Sequence, residues 1–148
     1  MTELPTGVRE MAARGPQWEQ WVDDLPAVTR RRMEQWDLRP DGAATHGSNS
    51  FVVAVRTSDG SPAVLKIGFP DLGSEHEHLA LRRWGGAGSV RLLRADPPHR
   101  VVLLERLRPR SLETLPDVEA CEVVAGLYER LHVPPLPQLR SLTSCVVR

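Results

Sequence analysis

The sequence predicts an α+β fold, in which an antiparallel sheet is combined with amphipathic helices. Two apolar runs, at residues 50–57 and 61–68, flank the turn residues Ser58-Asp59-Gly60, an arrangement typical of a β-hairpin. Apolar residues at helical spacing occur both before and after this hairpin. With 148 residues, 41% of them hydrophobic and 26% charged, the chain has the size and composition of an ordinary globular domain.

The first 40 residues are predicted to form a helical segment. Four apolar residues share one helical face and are expected to pack on the rest of the protein: Trp18, Trp21, Leu25 and Val28. Pro26 is expected to break this helix or to begin a new one, with Asp24 as its cap.

Three further elements complete the predicted sheet and its helix. A short strand within residues 42–46 is expected to pair with the first strand of the hairpin, and a second hairpin is predicted around Asp96-Pro97-Pro98. Residues 73–84 read as a helix between the hairpins, capped by Ser74 with Glu77 as its capping-box partner.

The last part of the chain is predicted to contain one amphipathic helix beginning at Asp117, after a loop or short helix at residues 108–116. A proline-rich connector follows, and the final residues, SLTSCVVR, show no structural closure, so we interpret the chain as truncated.

Composition narrows the function classes. Lys plus Arg and Asp plus Glu both number 19, and this zero formal charge argues against a nucleic-acid partner. No apolar run approaches a membrane span, and the N-terminus lacks the apolar region of a signal peptide, so a cytoplasmic protein without a membrane partner is expected. Cys121 and Cys145 lack metal-type spacing, and no metal site is predicted.

Lys66 is the only lysine of the chain and stands at the end of an apolar run. An ammonium group and a guanidinium group are not interchangeable, so a single lysine among many arginines suggests a chemical role that arginine would not fill. Two interpretations are open at this point. Lys66 is either the solvated end of a strand, or it is held by Glu75 or Glu77 to bind a phosphate.

The order of the motifs resembles the N-terminal lobe of a protein kinase. A turn of small residues, HGSNS, precedes the lysine strand AVLK, and a glutamate-bearing helix follows. The longer stretch from AVLK to LLERL resembles the aminoglycoside phosphotransferases, specifically their streptomycin kinase and hydroxyurea-resistance branch. The motifs that carry this resemblance are the lysine strand, ALRRW, GAGSVRLL and LLERL.

The resemblance implies a role for each part of the chain. Residues 41–107 would form the kinase-like lobe with its hinge, and residues 108–148 a linker and the start of an incomplete C-terminal lobe. Lys66 would hold the phosphates of ATP, bound with Mg²⁺ in the family, and Glu77 would pair with it, Glu75 being the fallback. The remaining expected binding residues belong to the turn over the phosphates and to the hinge that meets the adenine: Gly47, Ser48, Asn49, Ser50, Leu103, Leu104, Glu105 and Arg106.

The resemblance also implies an activity, the ATP-dependent phosphorylation of an alcohol group of an aminoglycoside antibiotic such as streptomycin. The family carries a catalytic H-G-D-x-x-x-x-N-type loop and a metal-binding Asp after the lysine. Here His46-Gly47-Ser48 precedes the lysine and lacks the Asp, so no catalytic residue or metal ligand is assigned. We therefore expect an inactive fragment of such an enzyme; the alternative is a non-catalytic lobe that acts as a nucleotide-binding or interaction module.

Overall fold

The computed structural model describes residues 3–142 of the chain, and it has four α-helices and six strands there. The helices are α1 (Thr6–Glu10), α2 (Pro16–Gln35), α3 (Glu77–Trp84) and α4 (Asp117–Leu131). The strands are β1 (Arg39–Pro40), β2 (Thr45–His46), β3 (Ser50–Arg56), β4 (Pro62–Gly68), β5 (Leu92–Asp96) and β6 (Val101–Glu105). Short 3₁₀ helices lie at Met11–Arg14, Pro97–His99 and Leu112–Thr114. Cys145 and most of the final segment SLTSCVVR, on which the interpretation of a truncated chain rested, lie outside the described residues.

The strands form one antiparallel sheet in the order β1-β3-β4-β6-β5, and β2 also pairs with β3. The predicted first hairpin is β3–β4, whose register runs from Ser50 opposite Gly68 to Arg56 opposite Pro62. The predicted second hairpin is β5–β6, with Pro97–His99 as its connection. The predicted α+β class and both hairpins are therefore confirmed.

One face of the sheet is buried under the N-terminal helices. Successive side chains of a strand point to opposite faces, so every second residue of β3 and β4 enters this core. The sheet contributes Phe51, Val53, Val55, Ala63, Leu65, Ile67, Val101 and Leu103. The helical side contributes Val8 and Met11 with Val22 and Leu25 of α2. Residues 3–40 and the sheet thus share a single hydrophobic core.

The predicted break at Pro26 is wrong, because α2 continues through it from Pro16 to Gln35. A proline has no N–H to donate to the carbonyl one turn earlier, which weakens a helix locally. Val22 and Leu25 nevertheless belong to the core shared with the sheet, and Thr29 is buried as well. Packing on both sides of the proline therefore outweighs the missing hydrogen bond.

The predicted cap of the helix after β4 is also wrong. The helix α3 begins at Glu77 rather than at residue 73, and no side chain caps it. Ser74 instead closes the preceding turn: its hydroxyl donates to the Phe69 carbonyl at 2.7 Å, and its amide donates to Asp71 Oδ1 at 2.8 Å. The residues read as the first helical turn are therefore a connection that carries the chain from β4 to Glu77.

The other face of the sheet is only partly covered. Leu81 of α3 packs there against Val102 and Leu104 of β6. The indole of Trp84 donates to the Leu131 carbonyl at 3.0 Å and so links α3 to α4. The predicted helix start at Asp117 is confirmed, although no residue of α4 is buried. Within residues 3–142 we find no helix with the length and apolar character needed to cross a membrane.

Candidate functional site

Lys66 lies on the partly covered face of the sheet, where it forms an ion pair with Glu77. Its neighbours Leu65 and Ile67 enter the core, so the alternation of β4 directs Lys66 to the opposite side. The ammonium Nζ is 2.5 Å from Glu77 Oε1, and both side chains are about 30% exposed, at 29% and 30%. Of the two interpretations that the sequence left open, the geometry supports a lysine held by a glutamate.

Glu75 does not take part in this ion pair. It lies in the connection before α3, its side chain is 43% exposed, and its Oε2 atom lies 3.9 Å from Nε2 of His76. Only Glu77 stands on the first turn of α3 that faces β4. The structure therefore separates the two candidate glutamates.

The residues Gly47, Ser48, Asn49 and Ser50 form a tight turn between β2 and β3. The Gly47 amide donates to the Ser50 carbonyl at 3.0 Å, which closes the turn. A side chain at Gly47 would place its Cβ 2.8 Å from Ser50 Oγ, so the close approach favours glycine. Among the described residues, the amides of Ser48 and Asn49 donate to no protein acceptor. Two unpaired amides in a turn can bind an anion.

The turn and the ion pair line one open cleft of about 650 Å³. The lining comprises Gly47, Ser48, Asn49, Ser50, Lys66, Gly68, Asp71, Gly73, Ser74, Glu77, Ala80, Leu81 and Trp84. Asp71 is a lining residue that was not expected from the sequence; its carboxylate accepts from Asn49 Nδ2 at 3.3 Å and from the Ser74 amide. The turn-forming composition of residues 70–74, PDLGS, was the sequence signal that could have placed Asp71 in a turn after the lysine strand.

The predicted hinge residues lie away from this cleft. Leu103 and Leu104 are buried within β6 and pair with residues of both β4 and β5. Glu105 is the last residue of β6, and its carboxylate accepts from the Arg91 amide at 2.9 Å. Of the four predicted residues, only Arg106 lies beyond the strand, so their contact with an adenine stays a prediction.

The Arg106 side chain ties the end of β6 to the neighbouring strands. Its guanidinium donates to Asp41 Oδ2 at 2.8 Å, to the Val55 carbonyl at 2.5 Å and to the Ala63 carbonyl at 3.3 Å. The hydrogen bond from Arg106 and the charge of Arg56 hold the pKa of the Asp41 carboxyl below its usual range. Arg106 therefore has a structural role that the sequence did not reveal.

The residues of the site do not form a metal centre. No group of three histidine, cysteine, aspartate or glutamate side chains within residues 3–142 is placed to hold a metal ion. His76 and His78, two residues apart, belong to different parts of the chain, the connection and α3. Burial, more than the charge of Arg82, lowers the pKa of His78.

The geometry defines an α+β protein in which a strand lysine, held by a helix glutamate, faces an open cleft bordered by a tight turn with unpaired amides. The chain belongs to the aminoglycoside/hydroxyurea antibiotic resistance kinase family, whose model matches residues 35–146. The resemblance drawn from the motifs around Lys66 is thereby confirmed.

Curated relatives extend this similarity over nearly the whole chain. A streptomycin 6-kinase of Streptomyces griseus is 41% identical in an alignment of 144 positions, which covers 94% of this chain and 47% of the relative. A streptomycin 6-kinase of Streptomyces glaucescens is 38% identical, covering 96% of this chain and 48% of the relative. A hydroxyurea phosphotransferase of Kitasatospora aureofaciens is 40% identical, covering 96% of this chain and 44% of the relative. The chain thus spans about half the length of these relatives, and no solved structure matches it.

Proposed function

We propose that the chain is the nucleotide-holding, kinase-like lobe of an ATP-dependent phosphotransferase that acts on an alcohol group of an aminoglycoside such as streptomycin. The observation that carries the proposal is the ion pair between Lys66 and Glu77 in the cleft below the turn Gly47–Ser50. The substrate class rests on the relatives, two of which are named streptomycin 6-kinases. Family membership and site chemistry therefore support the same activity.

The cleft suits the phosphates of a nucleotide. Lys66 has three N–H donors, and Glu77 is its one partner among the described residues, so donors remain for phosphate oxygens. The carboxylates near it are engaged: Glu77 with Lys66, and Asp71 with Asn49 and Ser74. Phosphoryl transfer depends mainly on positioning and on neutralising charge. Lys66 would supply the charge, and Glu77 would fix the direction of its side chain.

The turn would contribute a second set of donors. The unpaired amides of Ser48 and Asn49 stand at the rim of the same cleft as Lys66. Backbone N–H groups in a turn are preorganised partners for phosphate oxygens, because they lose no side-chain freedom on binding. The turn would thus close over the phosphates that Lys66 holds.

The adenine of the nucleotide would lie on the partly exposed face of the sheet beside Lys66. Val52, Ala54 and Val64 share this face and are only partly buried. An adenine ring stacked there would cover their apolar surface. Its polar edge would meet the backbone just beyond β6, at Arg106, since Leu103 and Leu104 already pair with strands on both sides.

No group of three histidine, cysteine, aspartate or glutamate side chains within residues 3–142 is placed to hold a metal ion, and we assign no step to magnesium. The chain also contains no H-G-D-x-x-x-x-N pattern after Lys66. In this proposal the base that activates the acceptor hydroxyl belongs to the half of the relatives that this chain does not span.

Calorimetric titration of the full chain with ATP tests the proposal. Lys66→Met should weaken binding about tenfold or more, because a charge-assisted hydrogen bond to phosphate is lost. Glu77→Gln should weaken it less, and Glu75→Gln, the matched control in the connection before α3, should leave it unchanged. ATP binding that is indifferent to Lys66→Met, or absent in the wild type, would refute the nucleotide role.

Incubation of the chain with radiolabelled ATP and streptomycin tests whether these 148 residues suffice for phosphate transfer. ATP binding without transfer is the expected result, because the proposal places the activating base outside this chain. Transfer would show that the catalytic groups lie within these 148 residues and would overturn the expectation of an inactive fragment.

A further inference from the structure

The turn Gly47–Ser50 separates two concave surfaces. The inner one is the cleft of Lys66 and Glu77. The outer one, about 490 Å³ in volume, lies against the N-terminal helices and is lined by Arg14. Gly47 and Ser48 line both surfaces, whereas Arg14 lines only the outer one. The turn is therefore in contact with the N-terminal segment on one side and open to the cleft on the other.

Arg14 holds the outer side of this turn. Its Nη1 donates to the Ser48 carbonyl at 2.6 Å and to Asn49 Oδ1 at 3.5 Å. Its guanidinium carbon is 4.6 Å from the centre of the Trp18 ring, a cation–π distance. These contacts join residues 34 and 35 positions apart in the chain. Arg14, an exposed residue, thus contacts both the Trp18 ring and the turn.

Trp18 is itself connected to the turn through Phe69. The two rings are stacked, with centres 3.6 Å apart and planes at 4°. The Phe69 amide donates to the Asn49 carbonyl at 2.8 Å. The contacts therefore close a ring, from Arg14 through Trp18 and Phe69 to Asn49 and back, which we call the turn clamp.

The clamp sets the direction of one unpaired amide. The structure contains no cis peptide bond among the described residues, so the peptide joining Ser48 and Asn49 is trans. In a trans peptide the C=O and the following N–H point in opposite directions. Because the Ser48 carbonyl points at Arg14, the Asn49 N–H points away from Arg14, and the Lys66 cleft lies on the turn's other side.

We propose that Arg14 is a positioning residue for the nucleotide phosphates, which holds the Ser48–Asn49 peptide with its N–H toward the cleft. The inference rests on the proposed function, because it supposes that phosphates occupy this cleft. It assigns a part in nucleotide binding to the helical segment that precedes residue 35, where the match to the family model begins. Arg14 itself touches no phosphate in this arrangement.

Two measurements on the full chain test this role. The first is amide hydrogen exchange without nucleotide, followed at two amides. The Gly47 amide donates to the Ser50 carbonyl within the turn, and the Phe69 amide donates to the Asn49 carbonyl of the turn. The second is the affinity for ATP compared with that for adenosine. Arg14→Ala should accelerate exchange at both amides and weaken ATP binding about three- to tenfold, with adenosine binding unchanged. Arg14→Lys should restore part of the affinity, because one donor remains.

Arg9→Ala is the matched control, since Arg9 is an exposed arginine of the same segment whose side chain, within residues 3–142, forms an ion pair with Glu3 and not with the turn. Equal behaviour of Arg14→Ala and Arg9→Ala would overturn the inference. An equal loss of ATP and adenosine affinity would also overturn it, because that is the result of general loosening. A wild-type chain that binds no ATP would refute the proposed function and this inference together, whereas ATP binding that is insensitive to Arg14→Ala would refute the inference alone.

Discussion

The buried ion pair between Arg32 and Asp96 should be a main support of the contact between α2 and the β5–β6 hairpin. Arg32 Nη2 is 2.5 Å from Asp96 Oδ2, and the two side chains are only 10% and 19% exposed. Arg32 also donates to Gln35 Oε1 at 2.7 Å. The pair joins the last turn of α2 to the end of β5. Replacing Arg32 by methionine keeps most of the apolar stem but leaves the Asp96 carboxylate without its guanidinium.

The expected cost follows from burial. Removing one partner of a buried ion pair costs about 3–5 kcal/mol, because the other charge stays desolvated. Asp96 keeps its contact with the exposed His99, at 2.9 Å from Nδ1, so the low end applies. We expect Arg32→Met to lower the free energy of unfolding by about 3 kcal/mol. For a domain of this size the loss corresponds to a fall in Tm of about 6–12 °C.

Urea denaturation followed by tryptophan fluorescence measures this loss. Arg31→Met is the matched control, an exposed neighbour on α2 whose replacement should cost within about 0.5 kcal/mol. The double variant Arg32→Met/Asp96→Leu should recover much of the stability, because no unpaired charge remains buried. A loss at Arg32 no larger than at Arg31, or strictly additive effects in the double variant, would refute the reasoning.

Three further predictions concern the core, the acid limb of stability and the site. Leu65→Ala should cost about 2–5 kcal/mol by denaturant titration, since Leu65 is 0% exposed; a cost under about 1 kcal/mol would contradict its place in the core. Asp41 has a lowered pKa, so its contribution to stability is present above its ordinary pKa of 3.8 and is lost as the pH falls through the folded-state value. Asp41→Asn should therefore make the free energy of unfolding fall less steeply as the pH is lowered, and an unchanged pH dependence would argue against the contact with Arg106. Glu77→Gln should accelerate acetylation of the single lysine a few-fold, followed by mass spectrometry, whereas Glu75→Gln should not; equal rates would contradict the ion pair.

Local pattern was sufficient for most of the sheet. The alternation of apolar residues around Ser58-Asp59-Gly60 predicted the β3–β4 hairpin, because a strand of period two with one buried face has a single workable register. The same reasoning located the hairpin β5–β6 and the start of α4 at Asp117. At Pro26 and Ser74 local propensity misled, since burial of α2 and hydrogen bonding in the turn before α3 decided the outcome.

The sequence by itself determined the family of this protein, its class of fold and the residue types of its site: a lone lysine on a strand, glutamates after it and a turn of small residues before it. Only the tertiary structure decided that Glu77, and not Glu75, pairs with Lys66, because the choice depends on where α3 begins. It alone also brought Arg14 to the turn, across 34 positions of chain. The physical reason is that a motif specifies residue types and their spacing along the chain, whereas the direction of a side chain depends on the packing of elements that are distant in sequence.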